Sequence, residues 1–156
     1  MNRTYIGNIS ELPENGVFVF GSNTEGRHGK GAAYSARLYF GAIHGQARGP
    51  QGRSYAIATK DLRKTKQPSV LPHEILKEIK DLYNYARKNP NKDFYISYTY
   101  NTKLLSGYTT EELCKLFAVA ALGETIPLNI VFETEFSKHT KQHWLNINAK
   151  LEVING

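Results

Sequence analysis

The chain has 156 residues, 40% of them apolar with 10 Tyr and 7 Phe, and a formal charge of +6. This length and composition suit one compact domain with a full core and argue against disorder. No apolar run reaches the length of a membrane span, the start MNRTYIGNIS has no secretory hydrophobic segment, and one cysteine, Cys114, cannot build a disulfide framework; a reducing cytoplasm is expected. The positive charge is compatible with a polyanionic partner, a small phosphorylated ligand or plain solubility.

Periodicity gives alternating elements. Thr4 to Ile6 reads as a short edge strand before a turn at Gly7-Asn8. Val17 to Phe20 is continuously apolar, as expected for a strand with both faces covered. Gly31 to Phe40 reads as a helix with Ala33, Ala36 and Phe40 inward. Gly41 to Gly52 holds four glycines and a proline in twelve residues and is read as a loop. Ser54 to Thr59 is the next strand and Lys60 to Leu71 a basic connection. Pro72 opens a helix to about Lys88, with Ile75, Leu76, Ile79, Leu82 and Tyr83 on one face.

Asp93 to Tyr98 is a strand and Thr99 to Tyr108 a loop. Thr109-Thr110-Glu111-Glu112 has capping-box spacing and starts a helix to about Leu122. Ile126 to Phe132 closes the series as a buried strand. In the tail, Ile147, Ala149, Leu151 and Val153 alternate like a strand, while the preceding HTKQHWL reads as a helical turn. No internal repeat or domain boundary is evident. The order of elements predicts a three-layer α/β/α domain with a mixed, largely parallel sheet, whose ligands sit beyond the carboxyl ends of the strands. The loops 21–31, 60–71 and 99–108 are then expected to converge.

Residues 17–34, VFVFGSNTEGRHGKGAAY, carry the most information. A strand runs into Gly21-Ser22-Asn23, a loop with Gly26, Gly29 and Gly31 follows, and Ala32-Ala33 opens a helix. Glycine permits close backbone approach, the first N–H groups of a helix are unpaired, and the helix dipole favours an anion. Arg27, His28 and Lys30 add basic groups, so the stretch predicts a phosphate or diphosphate pocket. It is not the phosphate loop of nucleoside triphosphatases: Gly21 and Gly26 have that spacing, but Arg27 and His28 stand where Lys and a magnesium-binding hydroxyl are required. No G-x-G-x-x-G opens a helix either.

These segments resemble the macro domains that bind ADP-ribose. Gly7-Asn8-Ile9-Ser10 is similar to the family's early G-D-I-T turn, whose acid contacts the adenine amino group; here Asn8 stands at that acid. Phe20-Gly21-Ser22-Asn23 resembles the strand end N-A-A-N, and Gly26 to Ala33 the diphosphate-binding loop. Leu105-Ser106-Gly107-Tyr108 resembles the second phosphate loop, S-T-G-x-x-G, with Tyr108 near a position expected to hold glycine or a catalytic acid. The resemblance covers residues 4 to about 135 and implies a single macro-domain-like domain over 1–156, with 136–156 as a C-terminal extension. It implies ADP-ribose or another NAD-derived nucleotide as ligand. It also implies that Asn8, Gly21, Ser22, Asn23, Gly26, Arg27, His28, Gly29, Lys30, Gly31, Ala32, Ser106, Gly107 and Tyr108 contact it, without metal or cofactor. Compact proteins of this kind occur in bacteria and their phages.

Tyr55-Ala56-Ile57-Ala58-Thr59-Lys60-Asp61 resembles the strand end of the macro subgroup that cleaves ADP-ribose from acidic side chains or nucleobases. There a lysine attacks C1 of the distal ribose, assisted by an aspartate of the second loop. Lys60 matches the lysine and implies a glycohydrolase-type hydrolase acting on an ADP-ribosylated macromolecule. The aspartate has no counterpart in 104–109, and Asp61 substitutes only if the loop folds back.

The competing reading of Lys60 is a solvated lysine at a strand end. His28 reads equally as a ligand contact or a surface histidine. His139 and His143 stand four apart without an evident third metal ligand. Cys114 reads as packing, and Tyr98, Tyr100 and Tyr108 surround the third loop as stacking or rim residues. Two other function classes remain open: a basic nucleic-acid-binding protein without catalysis, drawing on the cations of 48–66, and a non-catalytic sensor or sponge of an NAD-derived nucleotide.

Overall fold

The computed structural model describes residues 2–100 and 104–155. Among these, six strands and four helices occur in the order β1 (Thr4–Tyr5), β2 (Gly16–Asn23), α1 (Gly31–Tyr39), β3 (Gly49–Gln51), β4 (Ser54–Lys60), α2 (Pro72–Lys88), β5 (Asp93–Ile96), α3 (Thr110–Val119), β6 (Ile130–Glu133) and α4 (Thr134–Asn155). The sheet order is β1-β6-β5-β2-β4-β3; every pairing is parallel except β3 with β4. The protein is a three-layer α/β/α fold with a mixed, mostly parallel sheet.

The alternation of β2 explains its unbroken apolar run. Val17 and Val19 point into the larger core, with Ile75, Ile79, Leu82, Phe117 and Phe136 of α2, α3 and α4. Phe18 and Phe20 point to the opposite face, where Ala33, Ala36 and Phe40 come from α1 and its end. Both faces of a central parallel strand are buried, so neither can be polar. The chain leaves β2 through α1 on one face and β4 through α2 on the other, which opens a crevice over the carboxyl ends of β2, β4 and β5.

Three segments differ from the sequence expectation. The Gly41–Gly52 loop contains β3, whose Gly49 and Gln51 pair with Ala56 and Ser54. The last strand starts at Ile130, and residues 126–129 form the turn before it. The tail is helical: Phe136 and Thr140 are buried, and Trp144 and Leu151 continue the same stripe half-buried. The alternation of Ile147, Ala149, Leu151 and Val153 does not correspond to a strand face. Trp144 fastens this helix by donating its indole N–H to the Ala121 and Glu124 carbonyls, at 3.2 and 2.9 Å. Among the described residues no helix is long and apolar enough to cross a membrane.

Candidate functional site

The three loops expected to converge do so. Adjoining depressions of about 330, 190 and 250 Å³ form a groove across the strand ends. The first and second share Ala32, Ser97 and Thr99; the second and third share Gly21, Lys30, Thr59 and Ser106. Asn8 lies at one end and Lys60 at the other. Among the described residues, no Asp or Glu lines any part of it.

The middle of the groove is the start of α1. Lys30 occupies its N-cap in extended conformation, makes no side-chain cap, and no acid stands in the first turn. Among the described residues, the N–H groups of Gly29, Lys30, Gly31, Ala32 and Ala33 have no protein acceptor. The preceding N–H groups are used: Gly26 donates to the Asn23 carbonyl at 3.0 Å, Arg27 to Asn23 Oδ1 at 2.9 Å and His28 to His44 Nδ1 at 3.3 Å. The loop therefore fixes its own first half and leaves five consecutive donors at the end that lines the groove.

Two glycines make this shape possible. Gly26 has φ +68, and a Cβ there would lie 2.5 Å from the backbone of Gly45. Gly107 has φ +82, and its Cβ would lie 2.7 Å from the backbone of Gln67 and Pro68, where loop 60–71 meets loop 99–108. Neither glycine lines the groove; each holds a wall in place.

Of the other residues expected from the sequence, Gly21, Ser22, Asn23, Arg27, Gly29, Lys30, Gly31, Ala32, Ser106, Asn8 and Lys60 line the groove. Asn23 does so with its amide committed, accepting from Arg27 N–H and donating to the Arg27 carbonyl at 2.8 Å. Arg27 pairs with Glu25 at 3.0 Å. The structure does not bring His28 or Tyr108 to the groove. His28 is fully buried, edge-on to Phe20, with Nε2 beside the Gln46 carbonyl at 3.1 Å and Gln51 Oε1 at 3.2 Å. Both neighbours are acceptors, which assigns the proton to Nε2. Tyr108 is buried in the larger core and donates its hydroxyl to the Val70 carbonyl.

Lys60 ends β4 opposite Asn23, half-buried and without a carboxylate partner among the described residues. The neighbouring Asp61 turns away. Its carboxylate accepts from Arg63 Nε and backbone N–H, both at 3.0 Å, and from Thr24 Oγ1 at 3.3 Å. The Arg63 hydrogen bonds hold its pKa well below the usual carboxylate range. A dianionic guest would thus meet free N–H donors, two unpaired ammonium groups at Lys30 and Lys60, and no competing carboxylate. Among the described residues, Lys60 is the one amine at the distal end.

Thr59, Ser97, Leu62 and Leu105 also line the groove and were not expected as site residues. Thr59 and Ser97 sit at the carboxyl ends of β4 and β5, so the strand ends themselves were the available signal. Tyr98 forms a buried floor. Its hydroxyl has no hydrogen-bond partner among the described residues and lies 2.9 Å from where a Cβ on Gly21 would be, so a larger residue at 21 would strike it. Burial drives the Tyr98 pKa up. Tyr100 stacks on His139 at 4.0 Å. Both His139 and His143 contact Glu111, at 3.3 and 2.6 Å. Cys114 is buried, which pushes its thiol up to about 12.

Two larger depressions lie elsewhere, one of about 410 Å³ beside Phe132 and Trp144 and one of about 520 Å³ beside Glu78. No family model matches the chain, and no curated protein matches it.

Proposed function

We propose that the groove binds ADP-ribose or a related NAD-derived nucleotide diphosphate, in the manner of the macro domains that the sequence resembles. The observation that carries this reading is the run of five unpartnered N–H groups, Gly29 to Ala33, at an uncapped helix start in a groove without carboxylates. The diphosphate sits on these donors with Ser106 opposite. The adenine lies toward Asn8, whose carbonyl oxygen accepts from the exocyclic amine. The distal ribose lies toward Asn23 and Lys60. A cytoplasmic setting suits the single buried thiol.

Lys60 supports a hydrolytic extension of this reading. Its amine in the unprotonated form attacks C1 of the distal ribose as the bond to the acceptor breaks, and the proton released from the nitrogen passes through water to the departing acceptor. The resulting glycosylamine opens, C1–O of the ring breaking as the remaining N–H proton passes to the ring oxygen, and water hydrolyses the imine so formed, returning Lys60 and ADP-ribose. Calorimetric titration with ADP-ribose, ADP and NAD tests the binding; no heat from any of them would remove the site. The Lys60→Ala variant is expected to retain ADP-ribose affinity within a few-fold and to lose release from an ADP-ribosylated substrate. Unchanged release would leave a non-catalytic binder.

A further inference from the structure

We propose that the outward face of α1 and the turn after it form a docking surface for single-stranded nucleic acid. Residues 26–60 contain Arg27, Lys30, Arg37, Arg48, Arg53 and Lys60 and no Asp or Glu; the other 14 cations of the chain are balanced by its 14 carboxylates. In the fold Arg27 and Arg48 pair with Glu25 and Glu78, which leaves Lys30, Arg37, Arg53 and Lys60 of this stretch, which builds α1 and the sheet edge beyond it, without a carboxylate partner among the described residues.

The same stretch carries unusual apolar exposure. Tyr34 is 45% exposed, Leu38 52%, Tyr39 69% and Ile43 53%. Helical spacing arranges them: Tyr34 and Leu38 are four apart on the outer face. Tyr39 follows Ala32 and Ser35 at intervals of three and four, on the stripe that walls the Asn8 end of the groove. Arg37 stands beside Tyr34, three residues on along the helix, without a carboxylate partner among the described residues. Exposed rings interleaved with cations suit a strand whose bases stack while its phosphates are neutralised.

Charge decides the occupant. A second copy docking face to face would set this concentration of cations against itself, whereas a phosphodiester backbone neutralises it. A single strand is favoured over a duplex because only unpaired bases offer their faces to Tyr34 and Tyr39. The surface begins where the groove ends, so a strand lying on it would pass the groove's mouth.

Fluorescence anisotropy of the full chain with a labelled oligothymidylate of about 20 nucleotides tests this. Binding is expected at about 50 mM salt, with a log–log salt slope near −2, as for about three phosphates neutralised. Tyr34→Ala and Arg37→Glu are each expected to weaken it about tenfold while leaving ADP-ribose affinity and melting temperature unchanged. No binding at low salt would overturn the proposal, as would wild-type affinity in both variants. Self-association abolished by Tyr34→Ala, or binding to anionic vesicles without oligonucleotide binding, would assign the surface to another occupant and overturn it too. Oligonucleotide binding without any response to ADP-ribose would instead refute the groove's proposed ligand and leave this surface standing.

Discussion

The start of α1 and the starts of the other three helices solve the same problem differently. A helix leaves its first N–H groups without intrahelical partners. At α3, Thr109 Oγ1 accepts from Glu112 N–H at 3.1 Å and the Glu112 carboxylate accepts from Thr109 N–H at 2.8 Å. At α4, the Glu133 carboxylate accepts from Glu135 at 2.8 Å and from Phe136 at 3.2 Å. At α2, Pro72 has no N–H to satisfy and Glu74 accepts from Leu71 at 2.9 Å. Each of these helices uses a carboxylate of its own. Among the described residues, only α1 has a lysine at the cap and no acid in its first turn. The contrast identifies a place where the chain forgoes local stability, as binding sites commonly do.

Supplying α1 with the missing oxygen breaks the contrast. Lys30→Asp places a carboxylate at an N-cap whose backbone is already extended, φ −144 and ψ 154. Stability is expected to rise by about 1 kcal/mol. ADP-ribose affinity is expected to fall by about 100-fold, because charged hydrogen bonds to the donors are lost and an anion stands in the phosphate position. Calorimetry and thermal unfolding read both effects on one variant. Higher stability with unchanged ADP-ribose affinity would show that these N–H groups are not where the phosphates bind.

Removing the native caps sharpens the same contrast. Glu133→Ala strips acceptors from the partly buried N–H of Glu135 and the buried N–H of Phe136, and is expected to cost about 2 kcal/mol. Thr109→Ala removes one acceptor at an exposed cap and is expected to cost about 1 kcal/mol. Lys30→Ala, at a cap that makes no bond, is expected to cost less than about 0.5 kcal/mol. Urea denaturation of the three variants gives the order; a cost for Lys30→Ala equal to that of Thr109→Ala would erase the distinction.

The helix starts also divide what the sequence made legible from what it did not. Pro72 and the Thr109-to-Glu112 spacing mark α2 and α3 because caps are local, and the glycine loop marks α1 for the same reason. The tail was not legible: its buried stripe runs through Thr140, a polar residue, while Ile147 to Val153 alternate by chance and Val153 is exposed. Strand β3 lies in a Gly- and Pro-rich stretch and exists through its pairing with β4. In the groove, Gly29 to Ala32 and Lys60 were legible from local pattern and resemblance. His28 was not, because its burial depends on Phe20, Gln46 and Gln51, which only the tertiary fold assembles.

The smallest effect concerns acid. Glu111, in the first turn of α3, receives hydrogen bonds from His143 and Tyr100 and stands against His139. Burial by itself pushes its pKa up; the His143 and Tyr100 hydrogen bonds and the nearby histidine charges outweigh this and lower it. A depressed carboxylate stabilises the fold fully above its unfolded pKa of about 4.3, and that contribution disappears as pH falls through the lower folded value. Glu111→Gln is therefore expected to lower the melting temperature by a degree or two near pH 6, with the gap from wild type closing below about pH 4. No acid is present in the first turn of α1, so Lys30→Ala should track wild type across the same range. Melting curves from about pH 3 to pH 7 measure this; a gap for Glu111→Gln that persists at the acid end would mean that its role is packing, not charge.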